Sequence, residues 1–157
     1  MQKINPCLWF DHQAEEAAEF YVSVFPDSRI VSRTRRVDGL PDEVGDVMVV
    51  AFELAGQGYI ALNGGPLFRF SPAISLAIPC ETQDEVDHYW ARLTEGGEEG
   101  QCGWLTDRYG VTWQVTPTPL IRMFQSDDRA AAARAAAAMM PMKKLDIAAL
   151  QRAFDNA

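Results

Sequence analysis

At 157 residues, 48% hydrophobic and 23% charged, the chain suits one globular domain or two small modules sharing a core, without room for separate catalytic and regulatory domains. With 22 acidic and 14 basic residues the formal charge is -8, which repels phosphate backbones and anionic lipid. No apolar run approaches the roughly 20 residues of a bilayer span, and the start "MQKINPCLWFDH" lacks a signal peptide's apolar core; the expected setting is the cytoplasm, with neither nucleic acid nor membrane as partner. Cys7, Cys80 and Cys102 are an odd set without paired spacing, so free thiols in a reducing compartment are expected.

In chain order, "INPCLWF" alternates like a strand, and "QAEEAAEFYVSVF" sets Ala14, Ala17, Ala18, Tyr21 and Phe25 at helical spacing before Pro26 stops the helix. "SRIVSRTRRV" reads as a strand whose basic stretch, Ser32 to Arg36, suits a solvated edge. Asp38 to Asp46 is a Gly/Pro-bearing loop, and "VMVVAFELAGQGYIALNGGP" is a hairpin turning near Gly56 to Gly58. The first unit is therefore β-α-β-β-β.

The order then restarts. "AISLAIPC" is a strand, and "TQDEVDHYWARLTEGG" is a helix with Thr82 as N-cap, Glu85 completing a capping box and Gly96 or Gly97 ending it. The remaining strands are compressed into Gln101 to Asp107 and Val111 to Thr116, so the second unit repeats β-α-β-β-β with one strand shortened or lost. After Pro119, "SDDRAAAARAAAAMM" is a helix that Ser126 can cap, and "LDIAALQRAF" restarts one from Asp146 with Ile147, Leu150 and Phe154 on one stripe. The fold class is α+β: paired βαβββ modules over about 1–66 and 72–118 within a single domain, 1–120, followed by a helical extension, 121–157.

This plan resembles the vicinal oxygen chelate superfamily, which includes glyoxalase I and the bleomycin-resistance proteins. Within it, "NPCLWFDHQAEEAAEFYVSVFPDSRI", "ALNGGP", "TQDEVDHYWARLTEGGEEGQCGWLTDRYGVTWQVTP" and "MKKLDIAALQRAF" look like the PhnB-like subgroup, often labelled 3-demethylubiquinone-9 3-methyltransferase-like. The resemblance implies a cupped sheet in each module, the two sheets forming an open barrel around a cavity, and a homodimer. It does not imply methyl transfer, because "NGGP" follows a strand but precedes no helix, unlike the glycine-rich turn of a nucleotide-type cofactor site.

Metal-dependent members of the superfamily hold a divalent ion with His and Glu residues projecting into the cavity. By strand parity, with Ile4, Leu8 and Phe10 beneath the first helix, Asn5, Cys7 and Trp9 face the cavity, Asn5 or Pro6 standing near the usual ligand position. Ile60 and Leu62 turn to the core and Ala61 and Asn63 to the cavity; Ala73, Ser75 and Ala77 face it from the next module. Val111, Trp113 and Val115 pack under the helices, leaving Thr112, Gln114 and Thr116 inside, with Gln114 where the resemblance puts a ligand glutamate.

No inward position carries His, Asp or Glu, and neutral amides are poor ligands for a divalent ion. His12 and His88 have expected surface or capping roles, and Cys7 has no adjacent base. No metal site and no cofactor are expected. The pocket candidates are Asn5, Cys7, Trp9, Asn63, Ser75, Gln101, Cys102, Trp104, Thr112 and Gln114, an apolar lining with a few neutral hydrogen-bonding groups suited to a small uncharged organic ligand. The alternatives are a metal- or cysteine-dependent enzyme of isomerase, lyase or dioxygenase type, and a dimeric interaction protein whose tail and Met139, Met140 and Met142 dock a partner.

Overall fold

The computed structural model describes residues 2–41 and 45–157; the middle of the expected Asp38 to Asp46 loop lies outside the described residues. The chain divides into two compact units, Met1–Phe70 and Ser71–Ala157. Each repeats the order strand, helix, three strands, and the second carries three further helices.

In the first unit β1 (Cys7–Phe10) leads into α1 (Ala14–Val24), whose Ala14, Ala17, Ala18 and Tyr21 are fully buried at the positions the spacing predicts. The alanines let the helix backbone lie close to the sheet, and Tyr21 stacks on Phe52 with ring centroids 6.3 Å apart. β2 (Arg29–Arg35), β3 (Val47–Leu54) and β4 (Gln57–Asn63) complete a sheet ordered β1-β4-β3-β2, in which β1 runs parallel to β4 and the other pairs are antiparallel. β2 is thus an edge strand. Arg33 on it turns toward α1 and binds Glu15 and Glu19 at 2.6 and 2.7 Å. The β3–β4 turn is centred on Ala55 and Gly56, with φ of 48° and 82°, slightly earlier than the glycines alone suggest.

In the second unit β5 (Leu76–Cys80) precedes α2 (Gln83–Thr94), and β6 (Glu98–Glu99), β7 (Trp104–Thr106) and β8 (Thr112–Pro117) follow. The sheet is ordered β5-β8-β7-β6, the same topology as the first. The compressed strand survives as the two-residue β6. Thr82 caps α2 as expected, its Oγ1 accepting the Glu85 N–H at 3.2 Å, but the Glu85 carboxylate accepts from the Glu81 N–H instead of closing the box on Thr82.

The tail forms α3 (Thr118–Phe124), α4 (Arg129–Met139) and α5 (Ile147–Asp155). α3 is not foreseen by the sequence reading, although Pro119 at its start is an initiation signal. Asp128, not Ser126, caps α4 by accepting the Ala131 N–H at 2.9 Å. Leu120, Met123, Ala135, Leu145 and Leu150 form a buried cluster, against which Met139 and Met142 pack; of the three tail methionines proposed for docking, Met140 is the exposed one.

Two face assignments change. Ile4 lies ahead of β1 and is 85% exposed, so it contributes nothing beneath α1. In β4 the parity is opposite to the expected one: Leu8 pairs with Ala61 and Phe10 with Asn63, so Ala61 and Asn63 face α1, and Ile60 and Leu62 lie on the other face.

Candidate functional site

Each sheet has one face under its helix and one open face. On the first, strand pairing sets Cys7 beside Ile60 and Trp9 beside Leu62, with Val49 and Ala51 next in line on β3. Trp9 is held rigidly. Its indole N–H donates to the Gly65 carbonyl at 2.9 Å, its ring meets Phe68 edge-on at 5.0 Å, and a Cβ at Gly64 would fall inside the indole. Glycine at 64 therefore allows the close approach that seats the ring. Partial burial raises the Cys7 thiol above its ordinary pKa, which lowers its thiolate fraction at neutral pH.

Asn63 leaves this face. Its Oδ1 accepts the Ala14 N–H at 2.8 Å and its amide nitrogen donates to the Val47 carbonyl at 2.8 Å, so it binds the first turn of α1 and does not line the open face. Asn5, ahead of β1, donates to the Gln2 carbonyl at 2.6 Å, and its buried Oδ1 has no partner among the described residues.

The open face of the second sheet gathers more of the expected residues. β8 contributes Thr112 and Gln114, β7 places Trp104 directly across from Gln114, and Ala77 flanks Gln114 on β5. The Gln114 amide donates to Ser75 Oγ at 2.8 Å. Thr112 is buried, Gln114 half-buried, and Trp104 is 36% exposed. β5, β7 and β8 bring no ionisable side chain to this face; the first carboxylate in register is Glu98, across from Thr106 on β6.

Two candidates fall elsewhere. Gln101 is exposed in the turn before β7, and Cys102 points its sulfur at the carbonyls of Met139 and Met140, 3.8 Å from each. Both belong to the loop that meets the tail.

Asp107 is a polar residue that sequence reasoning passed over. Buried before β8, it accepts the Tyr109 and Val111 N–H groups on Oδ1 and the Trp113 indole N–H on Oδ2, at 2.8, 3.0 and 2.8 Å. The "DRYG" turn signals it, since an aspartate there can fold its carboxylate back on the following amides. It fixes the entry to β8 from the helix side.

The residues do not fit the divalent ion of the metal-dependent superfamily members. Gln114 and Ser75 are bound to each other, Asn63 is committed to α1, and among the described residues no three His, Cys, Asp or Glu side chains converge. Nor do they fit a nucleotide-type methyl donor, because Gly64 and Gly65 lead from β4 into a loop, with no helix to follow.

The family model described as 3-demethylubiquinone-9 3-methyltransferase matches residues 2–116. A PhnB protein from Bacillus cereus, named provisionally as a 3-demethylubiquinone-9 3-methyltransferase, is 38% identical over 74% of this chain and 99% of its own, with a TM-score of 0.68. The chain belongs to this PhnB-like family of the vicinal oxygen chelate superfamily. Protein PA1353 from Pseudomonas aeruginosa (19% identity, 74% of this chain and 98% of its own, TM-score 0.65) shares the fold. So does the fosfomycin resistance protein FosX from Listeria monocytogenes (14% identity, 74% and 93%, TM-score 0.51). No curated protein matches the chain. Residues 117–157, which hold the tail helices, lie beyond the range that the family model matches.

Proposed function

We propose that this PhnB-like protein binds a small, uncharged organic molecule on the open face of its second sheet, without a metal ion. The observation that carries the reading is the grouping of Trp104, Gln114, Ser75 and Thr112 there. An indole offers flat apolar area, and a primary amide has two donors and an acceptor, of which the bond to Ser75 uses one donor. Neutral groups of this kind match a ligand's carbonyl, hydroxyl or amide without the desolvation cost of a charge. The family description names methyl transfer, but the chain's own residues supply no cofactor turn for it, and ligand binding is the function they support. We propose with it a homodimer, on the superfamily resemblance, and a cytoplasmic setting, on the odd and unpaired set of cysteines.

A fragment screen by thermal shift tests the reading. Neutral aromatic amides and ketones raise the midpoint, and Gln114→Ala or Trp104→Ala weakens their binding by about tenfold, the effect of losing one hydrogen bond or one stacked ring. Responses confined to charged fragments would overturn it. So would near-stoichiometric zinc, nickel, manganese or iron(II) retained after incubation and desalting.

A further inference from the structure

The turn preceding β7 is built in an unfavourable conformation and is held from outside. The Trp104 N–H donates to the Gln101 carbonyl at 3.0 Å across Cys102 and Gly103, whose φ values of 58° and 83° are both left-handed. Asn-Gly suits such a pair; cysteine at the first position carries the strain of a side chain in that region. The amides of the two central residues usually meet solvent in a turn of this kind. Here the Cys102 N–H donates to the Met142 carbonyl and the Gly103 N–H to the Lys143 carbonyl, each at 2.8 Å. The Cys102 sulfur lies against the last carbonyls of α4.

Gly103 is enclosed on both sides. A Cβ there would meet the Val115 carbonyl oxygen at 2.6 Å and Leu145 Cδ1 at 3.0 Å, so the fully buried Leu145 packs on the bare α-carbon. The Val115 N–H donates to the Gly103 carbonyl at 2.8 Å, which ties the turn to β8 one residue beyond Gln114. The tail segment is in turn fixed to α2. Gln83 donates to the Leu145 carbonyl at 3.0 Å and accepts the Ile147 N–H at 2.8 Å, and Lys144 pairs with Asp87 at 2.9 Å.

We infer that the tail segment from Met142 to Ile147 is a clamp that holds the Cys102–Gly103 turn and thereby sets Trp104 beside Gln114 on the open face. Gln83 and Leu145 are its positioning residues. The clamp lies beyond residues 2–116, which the family model matches, so this chain's ligand preference is tuned by a segment outside the matched residues. The inference deepens the ligand-binding proposal and rests on it for its functional meaning.

The test uses full-length protein labelled with 5-fluorotryptophan, with the Trp104 fluorine signal assigned through Trp104→Phe. Gln83→Ala removes the two hydrogen bonds from α2 to Leu145 and Ile147, leaving the Lys144–Asp87 pair, without touching β7 or β8. It is expected to speed amide exchange at Cys102, Gly103 and Ile147 by on the order of tenfold and to shift the Trp104 signal while Trp9 stays put. Adding Cys102→Asn, which accepts the left-handed conformation, returns the Trp104 signal toward its original position although Ile147 still exchanges fast. Faster exchange at Ile147 with Trp104 and the turn amides unchanged would overturn the clamp. Lys144→Ala, which removes only the ion pair to Asp87, supplies the same readout in smaller measure if Gln83→Ala unfolds the chain. Benzamide titration separates the two proposals. A Trp104 signal that answers to Gln83→Ala but not to benzamide keeps the clamp and counts against the amide-binding face.

Discussion

Cys80 shows how burial sets the chemistry of a single side chain. It is fully buried, its sulfur 3.5 Å from the Ile78 carbonyl, and desolvation together with the nearby Glu85 charge pushes its pKa from 9.0 up to about 12. A folded-state pKa above the unfolded value means that the native state holds the proton more tightly. The associated stability is complete below about pH 9 and drains away as pH rises toward 12. Two consequences are measurable. In native protein at pH 8 a thiol reagent modifies Cys7 and spares Cys80, and the wild-type unfolding free energy falls between pH 9 and 11 more steeply than that of Cys80→Ala. Modification of Cys80 at the rate of Cys7 would contradict the assignment. Neither thiol has the depressed pKa of a nucleophile, since Cys7 is also shifted upward by burial.

At the scale of elements, caps make the most local test. The Asp146 carboxylate accepts the Ala149 N–H at 3.0 Å and starts α5, whose Leu150 is fully buried in the tail cluster. Asp146→Ala should lower stability by about 1 kcal/mol, read as a shift in the urea midpoint at constant slope. A loss near zero would mean that Gln83, which accepts the Ile147 N–H, already serves the helix start.

Thr82 was legible as a cap, and Asp146 as a helix start, because each sits directly ahead of the apolar stripe it serves. The start of α1 was not. Its Ala14 N–H is satisfied by Asn63, 49 residues away, and no local pattern signals a cap supplied by another strand. The inverted parity of β4 has a related cause. Tyr59, Ala61 and Asn63 alternate with Ile60 and Leu62, and size alone sends the larger apolar pair to the core. Yet the helix side needed a small Ala61 beneath the alanines of α1, and the open face is itself apolar, so alternation fixed the two sets without fixing which faced inward. β8 read correctly because Trp113 and Val115 contrast with Thr112 and Gln114. β6 was nearly invisible, since two glutamates carry no strand signal. Of the expected pocket candidates, Trp104, Thr112 and Gln114 share one face of the second sheet, whereas Gln101 and Cys102 lie in the turn before β7 and Asn63 faces α1.

For the whole molecule, net charge and surface ion pairs pull stability in opposite directions as salt is added. The formal charge of -8 is self-repulsive, and screening relieves it. The same salt weakens the ion pairs, but these are largely exposed: Arg33 with Glu15 and Glu19, Arg122 with Glu81, and Lys144 with Asp87. Exposed pairs of this sort contribute little to stability. The Glu81 carboxyl is held below its ordinary 4.5, chiefly by hydrogen bonds from Thr118 and Arg122, and Asp87 below 3.8, chiefly by Gln83 and Lys144. Carboxyls lowered on folding contribute their stability above the unfolded pKa and lose it as pH falls through the folded one. At pH 7 both are fully ionised, so they add to the repulsion that salt relieves as well as to the pairs that salt weakens. Repulsion among a surplus of eight charges acts over the whole surface, whereas each pair acts at one point, and screening of the surplus should win. Raising NaCl from about 0.05 to 0.5 M at pH 7 is therefore expected to raise the thermal midpoint by about 2–4 °C, the shift that roughly 1 kcal/mol gives in a chain of this size. A fall in the midpoint would instead assign the surface pairs, above all the Asp87–Lys144 tie between α2 and the tail, a larger share of stability than exposed pairs ordinarily hold.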